Sequence, residues 1–238
     1  MRTFIIILCA LFFSKSQADS KQIDISMLIT QSDIIVYGII TEQDELTFTF
    51  EIEGGITSDT GIIHVNKFQD WPCGHRWTSY KIGQCLMLFL QRNNNNLTIM
   101  GGGDEGEFPI KGNKIYISTG ALILPPPPLH PQKIDSSLIF FWPKEIQIDP
   151  THTSAFRGVE WDLHDILSDI QFIRKNLQYT NTPNDNRIKW ALVCTRKELL
   201  PRVQKSKIVE WCFQDKLGIT QESLQEHSKT FNTNLVFK

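Results

Sequence analysis

The sequence predicts an α+β protein, with an antiparallel β barrel in the N-terminal half and a helical C-terminal region. Three observations carry this reading. Residues 33–117 hold apolar runs and period-two alternation, broken by turn formers. Residues 159–177 change to apolar spacings of three and four. Between them stands Pro125-Pro126-Pro127-Pro128-Leu129-His130-Pro131, which cannot continue either pattern.

The chain of 238 residues opens on a leader: Arg2 is a cationic start, residues 4–13 are almost wholly apolar, and Ser16-Gln17-Ala18 places small residues before a cleavage point. Residues 1–18 are therefore read as a signal peptide, with a mature chain starting near Asp19 in a secreted or periplasmic compartment. The leader is too short to span a bilayer, and no later stretch approaches the roughly 18 continuous apolar residues a membrane helix needs. Losing Arg2 and Lys15 leaves 22 basic against 26 acidic side chains, a net charge of −4 that argues against a nucleic-acid partner.

Cys9 leaves with the leader. Cys73, Cys85, Cys194 and Cys212 remain, and an even number in an exported chain reads as disulfides, with three pairings open. Short separations favour Cys73 with Cys85 and Cys194 with Cys212. No C-x-x-C pair or suitably spaced histidine supports zinc instead.

The elements follow in order. Ile34-Ile35-Val36-Tyr37-Gly38-Ile39-Ile40 is a continuous β-branched run, and Leu46-Thr47-Phe48-Thr49-Phe50-Glu51-Ile52 alternates cleanly after the polar turn Glu42-Gln43-Asp44-Glu45. Strands are expected at 61–65, 85–90, 97–100 and 114–117, separated by Gly54-Gly55, the asparagines 93–96 and Gly101-Gly102-Gly103. Short strands at this spacing suggest a small barrel or sandwich, which bounds a barrel domain at 19–120. The prolines form a polyproline II spacer, 121–150 with its extended flank. Residues 151–238 form the helical region. Val159, Leu163, Ile166, Ile170, Ile173 and Leu177 share one face of a first helix, with acids at its start and Arg174 and Lys175 near its end. Thr182-Pro183-Asn184-Asp185 opens a second helix reaching about Leu199 before Pro201, or else residues 188–194 form a strand. A third helix carries Ile208, Cys212 and Leu217 and closes at Gly218, and Thr220 with Glu222 opens a short last one.

Residues 32–118 resemble the metalloproteinase-inhibitor-like, or netrin-like, version of the OB-fold barrel. The resemblance rests on Ser32-Asp33-Ile34-Ile35-Val36-Tyr37-Gly38, on Cys73-Gly74, and on Gly83-Gln84-Cys85-Leu86-Met87-Leu88-Phe89. It implies an exported OB-like barrel module. Inhibitors of that family begin their mature chain with a metal-chelating cysteine, whereas this one begins near Asp19-Ser20-Lys21, so the resemblance does not extend to protease inhibition.

Two constellations could carry chemistry. Trp71, His75, Arg76, Trp77 and Tyr80 crowd beside Cys73 into one loop, an amphipathic surface able to stack on a sugar or grip a protein. The competing role is that the tryptophans cover the barrel end. The second constellation is His152, Glu160, Asp162, His164 and Asp165, where Glu160 and His164 lie four apart on one helical face. No H-E-x-x-H is present and acids at a helix start already complement the dipole, so neither a metal nor a cofactor is expected. Gly101-Gly102-Gly103-Asp104-Glu105-Gly106 lacks the lysine and hydroxyl of a phosphate loop, and no G-x-S-x-G elbow occurs. Asn96-Leu97-Thr98 fits the glycosylation acceptor pattern.

The sequence thus points to an exported, non-enzymatic binding protein whose partner is an extracytoplasmic protein or a glycan. The rival is a secreted hydrolase using His152, Asp162 and His164, with or without a metal.

Overall fold

Some strands of the protein are apolar throughout and others alternate, according to whether both faces or only one is covered. In the structure, a computed structural model, residues 23–69, 76–94, 96–102, 105–118, 121–122, 139–141, 157–180 and 189–226 are described. Strands β1 (Ile34–Gln43), β2 (Thr47–Gly55), β3 (Gly61–Asn66), β4 (Cys85–Asn93) and β5 (Asn96–Ile99) run in the order β1-β2-β3-β5-β4, and β4 returns to pair with β1. The sheet closes on itself as a five-stranded barrel, compatible with an OB-like fold. Within it β3 and β5 are parallel and the other pairs antiparallel.

Strand β4 is continuously apolar because both of its faces are covered. Leu86, Leu88 and Leu90 point into the barrel, while Met87 and Phe89 join a second core shared with the helices. Strand β1 divides likewise, Ile34 and Val36 inward and Ile35 outward. Strand β2 buries Phe48 and Phe50 and exposes Glu51, the alternation of a wall with one wet face.

The sheet continues beyond the barrel through β6 (Glu107–Lys111), β7 (Lys114–Ser118), β9 (Arg157–Asp162) and β8 (Ile139–Phe141). Helices α1 (Ile25–Gln31), α2 (Leu163–Asn176), α3 (Arg196–Lys205), α4 (Lys207–Leu217) and α5 (Gln221–Glu226) lie with a small sheet of β10 (Leu177–Thr180) and β11 (Lys189–Leu192). Their apolar faces meet the outer side of β1 and β4 in one cluster that includes Leu28, Ile35, Phe89, Ile170, Ile173, Val209 and Phe213. Arg174 of α2 ties this layer to α1 by donating from Nη1 to the Ser32 carbonyl at 2.9 Å and the Ile29 carbonyl at 3.3 Å.

Ser32-Asp33 and Gly83, which carry the resemblance, have physical roles. The Ser32 hydroxyl donates to the Leu28 carbonyl at 2.5 Å at the end of α1, and Asp33 Oδ2 accepts from the Arg92 amide at 2.7 Å, tying the start of β1 to the end of β4. Gly83 turns the chain into β4 with φ of 88°, a region that favours glycine.

Several expectations are corrected. Val159 lies in β9 opposite Ile117, and the first helix starts only at Leu163. Leu177 has already entered β10 opposite Leu192. Both residues face the same core as α2, which extended the apparent helical period at each end. Residues 189–192 form a strand, the alternative to a helix reaching from Thr182, and 181–188 lie outside the described residues. Pro201 does not stop its helix. A capping box of Thr195 and Glu198 starts α3, the helix passes through exposed Pro201, and Ser206 ends α3 and caps α4. Helix α1 and strand β6 were not anticipated. Pro109 fits in β6 because it is the last residue paired with β4, while pairing with β7 starts at Ile110. Residues 1–22 and the four prolines lie outside the described residues.

No disulfide joins the described residues: Cys85, Cys194 and Cys212 stand as thiols, so the expected Cys194 with Cys212 staple is not formed in the structure, and Cys73 lies outside the described residues. Cys212 faces the core from α4, and Cys194 follows β11, half-buried. Desolvation raises both thiols, Cys194 to about 11, and holds them protonated at neutral pH.

Candidate functional site at the barrel rim

At one end of the barrel the β1–β2 turn, the end of β3 and the segment entering β4 come together. Asp44 builds the turn by accepting from the amides of Leu46 and Thr47, each at 2.7 Å. The Gln43 amide donates to the Tyr80 carbonyl at 3.0 Å, the Gly83 amide to the Ile40 carbonyl at 2.8 Å, and the Lys67 amide to the Leu46 carbonyl at 2.8 Å. Three segments distant in sequence are thus held edge to edge.

Arg76 is the centre of this end. Its side chain is only 2% exposed and forms an ion pair with Glu107 of β6, itself 0% exposed, through Nε and Oε1. Nη1 donates to the Thr78 carbonyl at 2.5 Å and Nη2 to Gln84 Oε1 at 3.2 Å. The guanidinium lies 3.8 Å from the centroid of the Tyr80 ring and 4.9 Å from that of Trp77. Tyr80 in turn stacks on Phe48 at 5.1 Å, and its hydroxyl accepts from the Phe68 amide at 3.0 Å while donating to Glu107 at 3.4 Å. Burial, then the Glu107 charge, pushes the Tyr80 phenol well up, so it remains a donor throughout the ordinary pH range.

Above this stack opens a cleft of about 230 Å³ lined by Glu45, Lys67, Phe68, Gln69, Arg76, Thr78, Ser79 and Tyr80. Lys67 Nζ donates to Gln43 Oε1 at 2.8 Å and to the Asp44 carbonyl, and desolvation lowers its pKa despite Asp44. The buried Thr78 hydroxyl has no hydrogen-bond partner among the described residues. Two large apolar side chains project from the turns of this end, Leu46 at 66% and Ile82 at 65% exposure.

The structure brings together Arg76, Trp77 and Tyr80 from the aromatic constellation; Trp71 and His75 lie outside the described residues. Trp77 is not a loop-tip ring: it is 7% exposed and belongs to the barrel core with Phe48, Phe50 and Leu88. Sequence reasoning missed Glu107, Lys67 and Gln84. An acid beginning the apolar stretch Glu107-Phe108-Pro109-Ile110, with no base beside it, was the one available signal.

In the second constellation Asp162 is the N-cap of α2, accepting from the amides of His164 at 2.9 Å and Asp165 at 3.3 Å, and its other oxygen accepts from Asn113 at 3.1 Å. His164 and Glu160 are exposed, and Glu160 interacts with Tyr116. His152 lies outside the described residues. No group of three histidine, cysteine or acidic side chains able to hold a metal occurs among the described residues, and no helix among them is long and apolar enough to cross a membrane.

No family model matches the chain, and neither a curated protein nor a solved structure matches it.

Proposed function

We propose that this chain is an exported binding protein of the metalloproteinase-inhibitor-like or netrin-like barrel group, which recognises an extracytoplasmic partner through the rim around Lys67 and Tyr80. The observation that carries the reading is the pre-built rim. Arg76, Tyr80 and Phe48 form a locked cation–aromatic stack beneath a cleft, and Leu46 and Ile82 stand exposed on the adjoining turns. Exposed apolar side chains held on a rigid, pre-built surface are suited to an interface, because rigidity lowers the entropy lost on binding. A protein is the partner class we favour over a glycan, because Phe48 and the guanidinium already engage the Tyr80 ring, whereas Leu46 and Ile82 offer apolar area. Export rests on the leader, and the group on Ser32-Asp33, Gly83 and the closed strand order.

The test is capture. The mature chain, immobilised, is offered extracytoplasmic proteins from its own source and, separately, a glycan array. Leu46→Asp with Ile82→Asp should abolish capture while the melting temperature holds, and Ile62→Asp, on an exposed position five residues before Lys67, should not. Equal capture by all three forms would overturn the assignment of the rim. Retention on the array alone would shift the partner class to glycans.

A further inference from the structure

We propose that Asn96 is an N-glycosylation acceptor, modified while the chain enters a secretory compartment. The inference rests on the export reading above and goes beyond it, because it concerns the β4–β5 hairpin and none of the cleft residues. In the run Asn93-Asn94-Asn95-Asn96, only Asn96 has a hydroxyl residue two positions on, Thr98, with a non-proline residue between. No other asparagine in the chain meets that pattern.

The fold presents this asparagine outward. Asn93 pairs with Asn96 across a tight turn whose Asn94 has φ of 55°. Asn96 is exposed, whereas its neighbour Leu97 is buried in the barrel. Period-two alternation therefore puts the acceptor amide and the Thr98 hydroxyl on the side of β5 away from the core. The Asn96 side chain makes no hydrogen bond among the described residues, while Asn93 donates to Thr98 Oγ1 at 3.2 Å. A glycan at Asn96 would displace no side-chain hydrogen bond among the described residues.

The timing follows from topology. In the folded barrel Thr98 is paired on both sides, with Gln91 of β4 and Asn66 of β3. A modifying enzyme needs the acceptor stretch extended and free, so transfer precedes barrel closure. Closure waits on the long-range β1–β4 and β3–β5 pairings, which are slow to form. In the transfer, Asn96 Nδ2 forms a bond to C1 of the first sugar as the C1–oxygen bond to a lipid-linked pyrophosphate breaks. The amide loses one proton to the enzyme, and the lipid pyrophosphate leaves.

The experiment expresses the full chain in eukaryotic cells with its own leader and, in parallel, with a cleavable leader of known function. Exported material is treated with peptide N-glycosidase, and the peptide around residue 96 is mapped by mass. We expect a glycosidase-sensitive shift that is absent from Asn96→Gln and from the shape-conserving Thr98→Val but retained in Thr98→Ser. Aspartate should replace asparagine at position 96 after deglycosylation. Asn96 found unmodified on a chain exported by the borrowed leader would overturn the proposal, as would a shift that persists in Asn96→Gln. A glycan acquired only with the borrowed leader would uphold the acceptor site and refute the export reading.

Discussion

Replacing Glu107 by glutamine keeps the shape of the side chain and removes its charge, leaving the Arg76 guanidinium buried without a counter-ion. With an effective dielectric constant of about 20, two unit charges roughly 4 Å apart attract by about 4 kcal/mol. Removing one partner of a buried pair costs about 3–5 kcal/mol. Arg76 keeps its bonds to the Thr78 carbonyl and Gln84 and its place on Tyr80, and glutamine can still accept from Nε, so the lower end applies, about 3 kcal/mol. For a chain of this size that is a fall in melting temperature of about 6–12 °C. The assay is thermal and urea unfolding of the wild type, Glu107→Gln, Arg76→Met and the double variant. The loss in the double variant should fall well below the sum of the two single losses, because it buries no lone charge. A loss below about 1 kcal/mol for Glu107→Gln, or strict additivity in the cycle, would refute the reading of Arg76 and Glu107 as a coupled buried pair.

Three further outcomes follow from the structure. A Cβ on Gly38 would stand 2.0 Å from the Glu51 carbonyl oxygen, so Gly38→Ala should distort the β1–β2 pairing and lower the unfolding midpoint, while Gly112→Ala, strained in backbone but open in space, should cost less. Asp162→Ala should cost about 1 kcal/mol through loss of the α2 cap and Asp162→Asn far less, and equal losses would show that the carboxylate does something other than cap. Folding favours the protonated thiol of Cys194, a stabilising contribution present below its ordinary value and lost as pH rises through about 11. Iodoacetamide should therefore leave Cys194 and Cys212 unlabelled at pH 8 and label both after unfolding without reductant, whereas protection that persists in denaturant would show that they are joined by a disulfide.

Much of the fold was legible because local signals agreed with burial. The alternation of residues 46–52 reports one wet face, and the unbroken apolar runs of β1 and β4 report strands covered on both sides. Gly218 closes α4 in the left-handed conformation, with φ of 66°. Where the readings failed, local signals were overridden by pairing. Val159 and Leu177 fit a helical period because they share the α2 core, but β7 and β11 recruited them as strands. Pro201 stands inside α3, so this proline does not mark the end of the helix. The site was harder still. Its members Arg76, Trp77 and Tyr80 were visible as a cluster, yet sequence cannot say which of a run of large side chains turns inward. Only the closed barrel decided that Trp77 fills the core, that Arg76 is neutralised by Glu107 31 positions away, and that half-buried Lys67 and exposed Leu46 and Ile82 form the rim. The reason is that short-range periodicity encodes which face of an element is buried, whereas the partner of a buried charge depends on strand order, which closes through contacts between distant residues.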